Sequence, residues 1–379
     1  MDFFFVNVYA SQPVLHRQRA QEAVINMDHS IEAYCMIVSL CAYVMIQANM
    51  KVQPSLLERQ EMAQMSNIQF GYILLEESVR VRRNYDYREN PTPFTVLTSW
   101  LYYGCYFGLA KEKTAWMYLR EATTQAQLLG MHDEETYKHD PLDTSRKRVL
   151  YWLLFMAERY RCLRLMHVVA DPCSRTYAIH NRLSITLYPT IHPPSLDEVP
   201  SDRPVAVGLQ LMINLYKTID DTFINLWNQS RNQVQNQVQN HANPAWIARL
   251  QPQLSDAVPA YLECTEAQAV EIRVTQQWLR AMVWQLCLSQ GLVSDVSQET
   301  TMMFKFPIQI SRDLLTMTHQ FSQPAMEVHG VGLVSTTTGS ISTLTSVPFL
   351  LRTRTLAHFE CNPCYMLHRH GPTASNVNL

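Results

Sequence analysis

The sequence predicts an all-α protein. Apolar residues recur at spacings of three and four along most of its length. No run alternates apolar and polar with the period of a half-buried strand. Only 10 of 379 residues are glycine, too few for Gly-rich phosphate loops or for the dense turns of a β-sandwich. Hydrophobic residues make up 47% of the chain and charged residues 17%, enough apolar material for one large domain or two ordinary ones.

The helices can be placed in order. Asp28 is a candidate N-cap, with Ile31 as first apolar anchor and Tyr34, Val38, Cys41 and Met45 following at helical spacing. The stretch 31–46 is the longest apolar run; it is too short to span a bilayer and contains Glu32 and Ser39, so it reads as a buried helix. Residues 56–84 give a second helical region, with Met62, Met65, Ile68, Tyr72 and Leu75 in phase. Thr92 and Pro93 form a helix start, because Pro is tolerated at the first helical position, and that helix runs to about Leu109.

After a polar break at residues 111–113, Ala115, Leu119, Ala122, Ala126 and Leu129 fall on one face of a further helix. Their small side chains permit close interhelical approach. Gly130 stands where a C′ glycine belongs. Asp143 or Thr144 is expected to cap the next helix, which contains Trp152. Asp202 and Pro204 open a long helix towards Trp227. Residues 232–243 form a Gln/Asn-rich polar loop. A last long helix covers about 261–288, with Ile272, Trp278, Leu279, Met282, Val283 and Leu286 facing the core.

Charge and cysteine use exclude several classes. The formal charge of −2 gives no global electrostatic footprint for nucleic acid. Nine scattered cysteines and no basic n-region ahead of the apolar residues 3–6 read as reduced thiols in a cytosolic or nuclear protein. No HExxH pair occurs among the 13 histidines, and no nucleophile elbow is present.

One set of residues carries a family resemblance. The Ala-rich helix ends in Leu129-Gly130-Met131-His132, and the basic patch Arg146-Lys147-Arg148 then leads into Tyr151-Trp152. Glu158, Arg175 to Ile179, Leu187 to Pro194, Glu271 to Leu279 and the first fifty residues add to the pattern. As a set these resemble the middle regulatory domain of the fungal binuclear zinc-cluster transcription factors, in the maltose- and amylase-regulator branch. The resemblance implies a helical regulatory domain over 1–333 and a nuclear regulator of a sugar-utilisation or secondary-metabolite gene cluster. It implies no enzymatic activity, no membrane association and indirect contact with DNA. Dimerisation with a full-length activator and binding of a small-molecule effector also follow from it.

Departures from the family pattern set further expectations. The six-cysteine module that would bind zinc and read DNA is not found in this sequence, so zinc is implied only outside it. Residues 159–174 interrupt the helical period and read as an insertion, such as a retained intron, since joining Glu158 to Arg175 restores the pattern. Residues 334–379 lose the pattern and are expected to form a poorly ordered, frameshifted tail.

Other candidate sites have plainer readings beside the functional one. Cys361 and Cys364, with His358, His368 and His370, have zinc-ligand chemistry, but no second CxxC accompanies them, and unpaired thiols are the simpler account. Asp220 and Asp221 suggest a magnesium-holding pair of a terpene-synthase-like enzyme acting on a hydrophobic substrate. Ile224 occupies the place of the expected third acid, so solvated helix acids are the simpler reading. The basic patch fits salt bridges within the domain better than phosphate contacts. Arg80, Arg82 and Arg83 read as a solvated face or a weak nuclear-localisation signal. Trp100, Tyr102, Tyr103, Tyr106 and Phe107 could line a ligand cavity or simply fill the core. A non-DNA-binding scaffold or inhibitor of a full-length activator is the remaining alternative function.

Overall fold

The structure is a computed structural model that describes residues 1–47, 65–138, 141–165, 185–194, 202–229 and 244–327. After a π-helical turn at Phe4–Val8 come α1 (Arg17–Ile25), α2 (Ile31–Ile46), α3 (Asn67–Arg82), α4 (Pro93–Gly108), α5 (Glu112–Leu128) and α6 (Pro141–Leu165). The second half holds α7 (Arg203–Lys217), α8 (Asp221–Gln229), α9 (Pro244–Asp256), α10 (Glu266–Ser289), α11 (Phe306–Thr318) and α12 (Gln323–Glu327). Among the described residues there is no strand.

Two helices organise the packing. α2 lies against α3 and α4, and α4 lies against α5. In the second half α10 touches α7, α9, α11 and α12. α6 contacts α4, α5 and α7, and so joins the two groups. α2 is buried on nearly every side, from Ala33 through Ile46, as expected of a helix that is apolar all round. The close crossing of α2 and α4 depends on Gly104: a Cβ there would lie 2.3 Å from the Tyr43 ring.

Local chemistry explains the helix boundaries. Thr92 caps α4 by accepting from the Thr95 N–H, with Pro93 in the first turn, as the sequence implies. α5 buries Ala115, Leu119, Ala122 and Ala126 completely. It ends before Gly130, whose φ of +66° is the left-handed conformation that favours glycine. Capping boxes at Ser66–Gln69 and Thr265–Gln268 start α3 and α10.

Several boundaries differ from the sequence expectation. Ser30, not Asp28, caps α2, because its hydroxyl reaches the Ala33 N–H at 3.2 Å. α6 starts at Pro141, so Asp143 and Thr144 lie inside it and not ahead of it; the Thr144 hydroxyl donates to the Tyr137 carbonyl. The single helix expected from Asp202 to Trp227 is two, α7 and α8. The break at 218–220 is set by Asp220, whose carboxylate accepts from the Phe223 N–H at 2.8 Å. α10 begins at Glu266, leaving Tyr261 79% exposed outside it. Met65, ahead of α3, and Ile68, in its first turn, are exposed, while Leu75 is fully buried.

The helical period does not stop at Arg159. α6 continues to Leu165, and Arg159, Arg161, Cys162 and Leu163 are buried in it. Arg159 donates to the carbonyls of Ile219 and Leu187, and its guanidinium lies 3.5 Å from the Phe155 ring centroid. Buried arginine can satisfy several carbonyls at once, which is why these residues extend the helix. Residues 166–174, the polar loop at 232–243 and the tail at 334–379 lie outside the described residues.

Residues 185–194 run without helix over the side of α6. Backbone that leaves helical pairing needs other partners, and α6 supplies them. The Tyr151 hydroxyl donates to the Tyr188 carbonyl at 2.6 Å, and Trp152 Nε1 donates to the His192 carbonyl at 3.1 Å. Glu158, with 0% exposure, accepts from the N–H groups of Thr186 and Leu187 and from the Thr186 hydroxyl.

Candidate functional site

The signature residues lie at the end of α5, in the turn after it and in α6, each with a distinct contact. Leu129 ends α5 half-buried against the core. Gly130 turns the chain, and its carbonyl accepts from the Thr136 hydroxyl. His132 is exposed, and its carbonyl accepts from Thr190. Arg146 donates to the Pro13 carbonyl at 3.1 Å and lies 3.7 Å from the Asp202 carboxylate. Arg148 forms a bidentate pair with Glu134 at 2.7 and 2.9 Å, donates to the His192 carbonyl and lies over the Tyr137 ring. Trp152 is fully buried. Lys147 is half-buried and makes no hydrogen bond or ion pair among the described residues. Arg146 and Arg148 therefore tie separate segments together, while Lys147 is left over.

A cavity of about 200 Å³ opens between the two halves of the molecule. The N-terminal turn contributes Asn7, Ser11 and Gln12, α2 contributes Tyr43 and Gln47, and α4 contributes Trp100, Tyr103 and Phe107. α6 adds Met156 and Tyr160, α7 adds Tyr216, and α10 adds Glu271 and Thr275. No lysine or arginine is part of this lining. The walls combine aromatic faces with amides and hydroxyls, the usual composition of a small-molecule site.

Polar groups in the cavity are partly committed and partly free. Trp100 Nε1 donates to Gln12 at 3.1 Å, and Gln47 donates to the Gly104 carbonyl at 2.6 Å. The buried oxygens Ser11 Oγ and Tyr160 OH have no hydrogen-bond partner in the protein. Buried polar atoms are rarely left so without a ligand or water to serve them. Burial raises the phenols of Tyr43, Tyr103 and Tyr216 well above their ordinary value, so they stay neutral donors. Such a lining suits an uncharged ligand that carries hydroxyls on an apolar frame. It contains no nucleophile–base pair; Cys105, on the same helix, is buried and its thiol is pushed up by desolvation.

The aromatic stretch singled out in the sequence splits between two uses. Trp100, Tyr103 and Phe107 line the cavity. Tyr102 pairs with the Ser78 hydroxyl at 2.7 Å, and Tyr106 stacks on Tyr118 and bonds Glu76. Tyr43, Tyr160 and Tyr216 were not picked out from sequence, and Glu271 only as part of the family pattern, because the four sit on separate helices and no local spacing connects them.

The remaining candidates separate clearly. Asp220 is a helix cap, and Asp221 lies 4.0 Å from the Arg159 guanidinium, so the two acids serve local structure. Arg82 is 2% exposed, not part of a solvated face; it pairs with Glu121 at 3.0 Å and lies over the Tyr87 ring. Arg80 is exposed and pairs with Glu77. Cys361 and Cys364 lie outside the described residues, among which no group of three or more His, Cys, Asp or Glu side chains could hold a metal. Among the described residues no helix is long and apolar enough to cross a membrane.

Comparison with known proteins gives consistent relatives. Residues 1–176 match the family described as "Fungal specific transcription factor domain". A probable sucrose utilization protein of Candida albicans is 26% identical over 264 residues, covering 68% of this chain and 47% of that protein. A respiratory transcription factor of Saccharomyces cerevisiae is 23% identical, covering 66% of this chain and 50% of its own length. A maltose fermentation regulatory protein of the same yeast is 22% identical, with 66% and 48% covered. This chain thus spans about half the length of the curated relatives it matches. No solved structure matches it.

Proposed function

We propose that this chain, which carries the helical middle domain of the fungal zinc-cluster transcription factors in their maltose-regulator-like branch, is the regulatory part of a nuclear transcription regulator of sugar utilisation. Its effector site is the cavity between the two halves, and its effector is a neutral sugar. The relatives named for sucrose utilisation and maltose fermentation support the substrate class. The observation that carries the reading is the composition of the cavity: aromatic walls, amides, unpartnered hydroxyls at Ser11 and Tyr160, and no cation.

The mechanism follows from position. The cavity takes residues from the N-terminal turn, α2, α4, α6, α7 and α10. A ligand held there touches both halves and favours the arrangement in which they close on it. Ligand binding shifts a conformational equilibrium only through such differential contact. DNA is reached indirectly, through an attached or partner zinc-cluster module that the closed or open state releases.

A reporter experiment tests this. The chain is fused to a heterologous DNA-binding module, and cells are grown on sucrose, maltose or a non-sugar carbon source. Reporter output that changes several-fold with one sugar, and loses that change in Tyr160→Phe, supports the reading. Output independent of every sugar, with no thermal shift of the purified chain by any of them, overturns it.

A further inference from the structure

A second pocket, also about 200 Å³, is lined in part by Arg146 and Lys147 of the basic signature. Its floor is apolar, built from Leu15, Phe94, Leu97 and Leu150. Its rim carries His16 and Arg19 from the N-cap and first turn of α1, and Lys147 from α6.

The three rim groups differ in how far they are already engaged. Arg19 pairs with Glu22 on its own helix at 2.9 Å. His16 Nδ1 accepts from the Gln18 N–H, which leaves the proton of the neutral ring on Nε2 as a donor. Lys147 has no partner among the described residues. Its neighbours explain why it stands apart: Arg146 and Arg148 are used on Pro13, Asp202 and Glu134. The acid on the wall, Glu32, accepts from the Thr92 hydroxyl, and its carboxyl is pushed up by burial. Arg19, Arg146 and Lys147 against Glu32 leave the lining net positive.

We infer that this pocket binds a small monocarboxylate with an apolar tail, its carboxylate on Lys147 and His16 Nε2 and its tail over Phe94, Leu97 and Leu150. The ligand's carboxylate is ionised, so its bonds from the lysine ammonium and from the neutral imidazole N–H are both charge-assisted and about twice as strong as neutral ones. The apolar floor raises affinity about fourfold for each methylene it covers. Volume limits the tail, since a cavity of about 200 Å³ is smaller than the pockets of drug-sized ligands. The site is separate from the aromatic cavity and shares no lining residue with it.

Isothermal titration of the full chain with octanoate, octanol and acetate tests the assignment. Octanoate should bind, and octanol and acetate should each bind at least tenfold more weakly. Lys147→Met should weaken octanoate binding at least tenfold, while Lys147→Arg keeps it within a few-fold. Folding of each variant is checked by its thermal transition, and His16→Gln serves as the second variant if Lys147→Met does not fold. No heat with octanoate, equal binding of octanol, or unchanged octanoate affinity in Lys147→Met or His16→Gln overturns the inference.

Discussion

Arg120 of α5 donates to Glu158 of α6 at 2.9 Å, and that carboxylate is completely buried. Glu158 also holds the N–H groups of Thr186 and Leu187. One acid thus joins two helices and the extended segment that follows. Glu158→Ala leaves Arg120 and two backbone donors without their acceptor. Removing one partner of a buried pair costs about 3–5 kcal/mol. Chemical denaturation should show a loss of this size, and a loss under about 1 kcal/mol would contradict the role.

Tyr160→Phe removes a hydroxyl that has no partner in the protein. Deleting an unsatisfied buried group is close to neutral for stability. The variant should unfold within about 0.5 kcal/mol of wild type, while its reporter response to sugar falls. Loss of stability with an intact sugar response would move Tyr160 from the ligand to the core.

Gly104→Ala brings a methyl group to 2.3 Å from the Tyr43 ring, at the wall of the cavity. Overpacking of this kind costs about 1–3 kcal/mol. The expected outcome is a lowered thermal midpoint together with weaker ligand binding, read by calorimetry on the same sample.

Gly130→Ala should cost about 1–2 kcal/mol, because φ there is +66° and a side chain resists that conformation. Gly291, after α10, at φ +71° with open space around it, is a matched control for the backbone effect alone.

Glu134 is held below its ordinary 4.5, first by the hydrogen bonds from Arg148 and further by the His192 N–H. A carboxyl depressed in the folded state stabilises the fold above its unfolded value. That contribution is lost as pH falls through the folded value. Glu134→Gln should therefore be less stable than wild type at neutral pH, and the gap should close below pH 4.5. Thermal midpoints of both proteins across that range check the sign; a gap that widens in acid would refute it.

Some of this molecule is legible from sequence because it depends on neighbours along the chain. Thr92 with Pro93 and Gly130 are local signals, and each stands where the sequence puts it. The small-residue face of α5 is equally local, since a period of 3.6 residues sets it. The break before α8 was missed because an Asp cap inside an apolar periodic stretch looks like one more solvated acid. The extension of α6 past Glu158 was missed for a related reason. The stretch 159–174 read as an insertion because of its Pro and mixed periodicity, yet the partners of Arg159 and Arg161, namely Ile219, Leu187 and Glu112, lie far away in sequence and make burial favourable.

By itself, then, the sequence determined the helical class, the α5 face, the turn at Gly130 and the family to which the signature points. Tertiary structure alone decided what the signature residues do. It spends Arg146 and Arg148 on tying segments together and leaves Lys147 facing a pocket. It also assembled the aromatic cavity from residues as distant as Ser11 and Glu271. The physical reason is range: capping and periodicity act within a turn or two of helix, whereas a cavity is defined by side chains that meet only after the helices have packed.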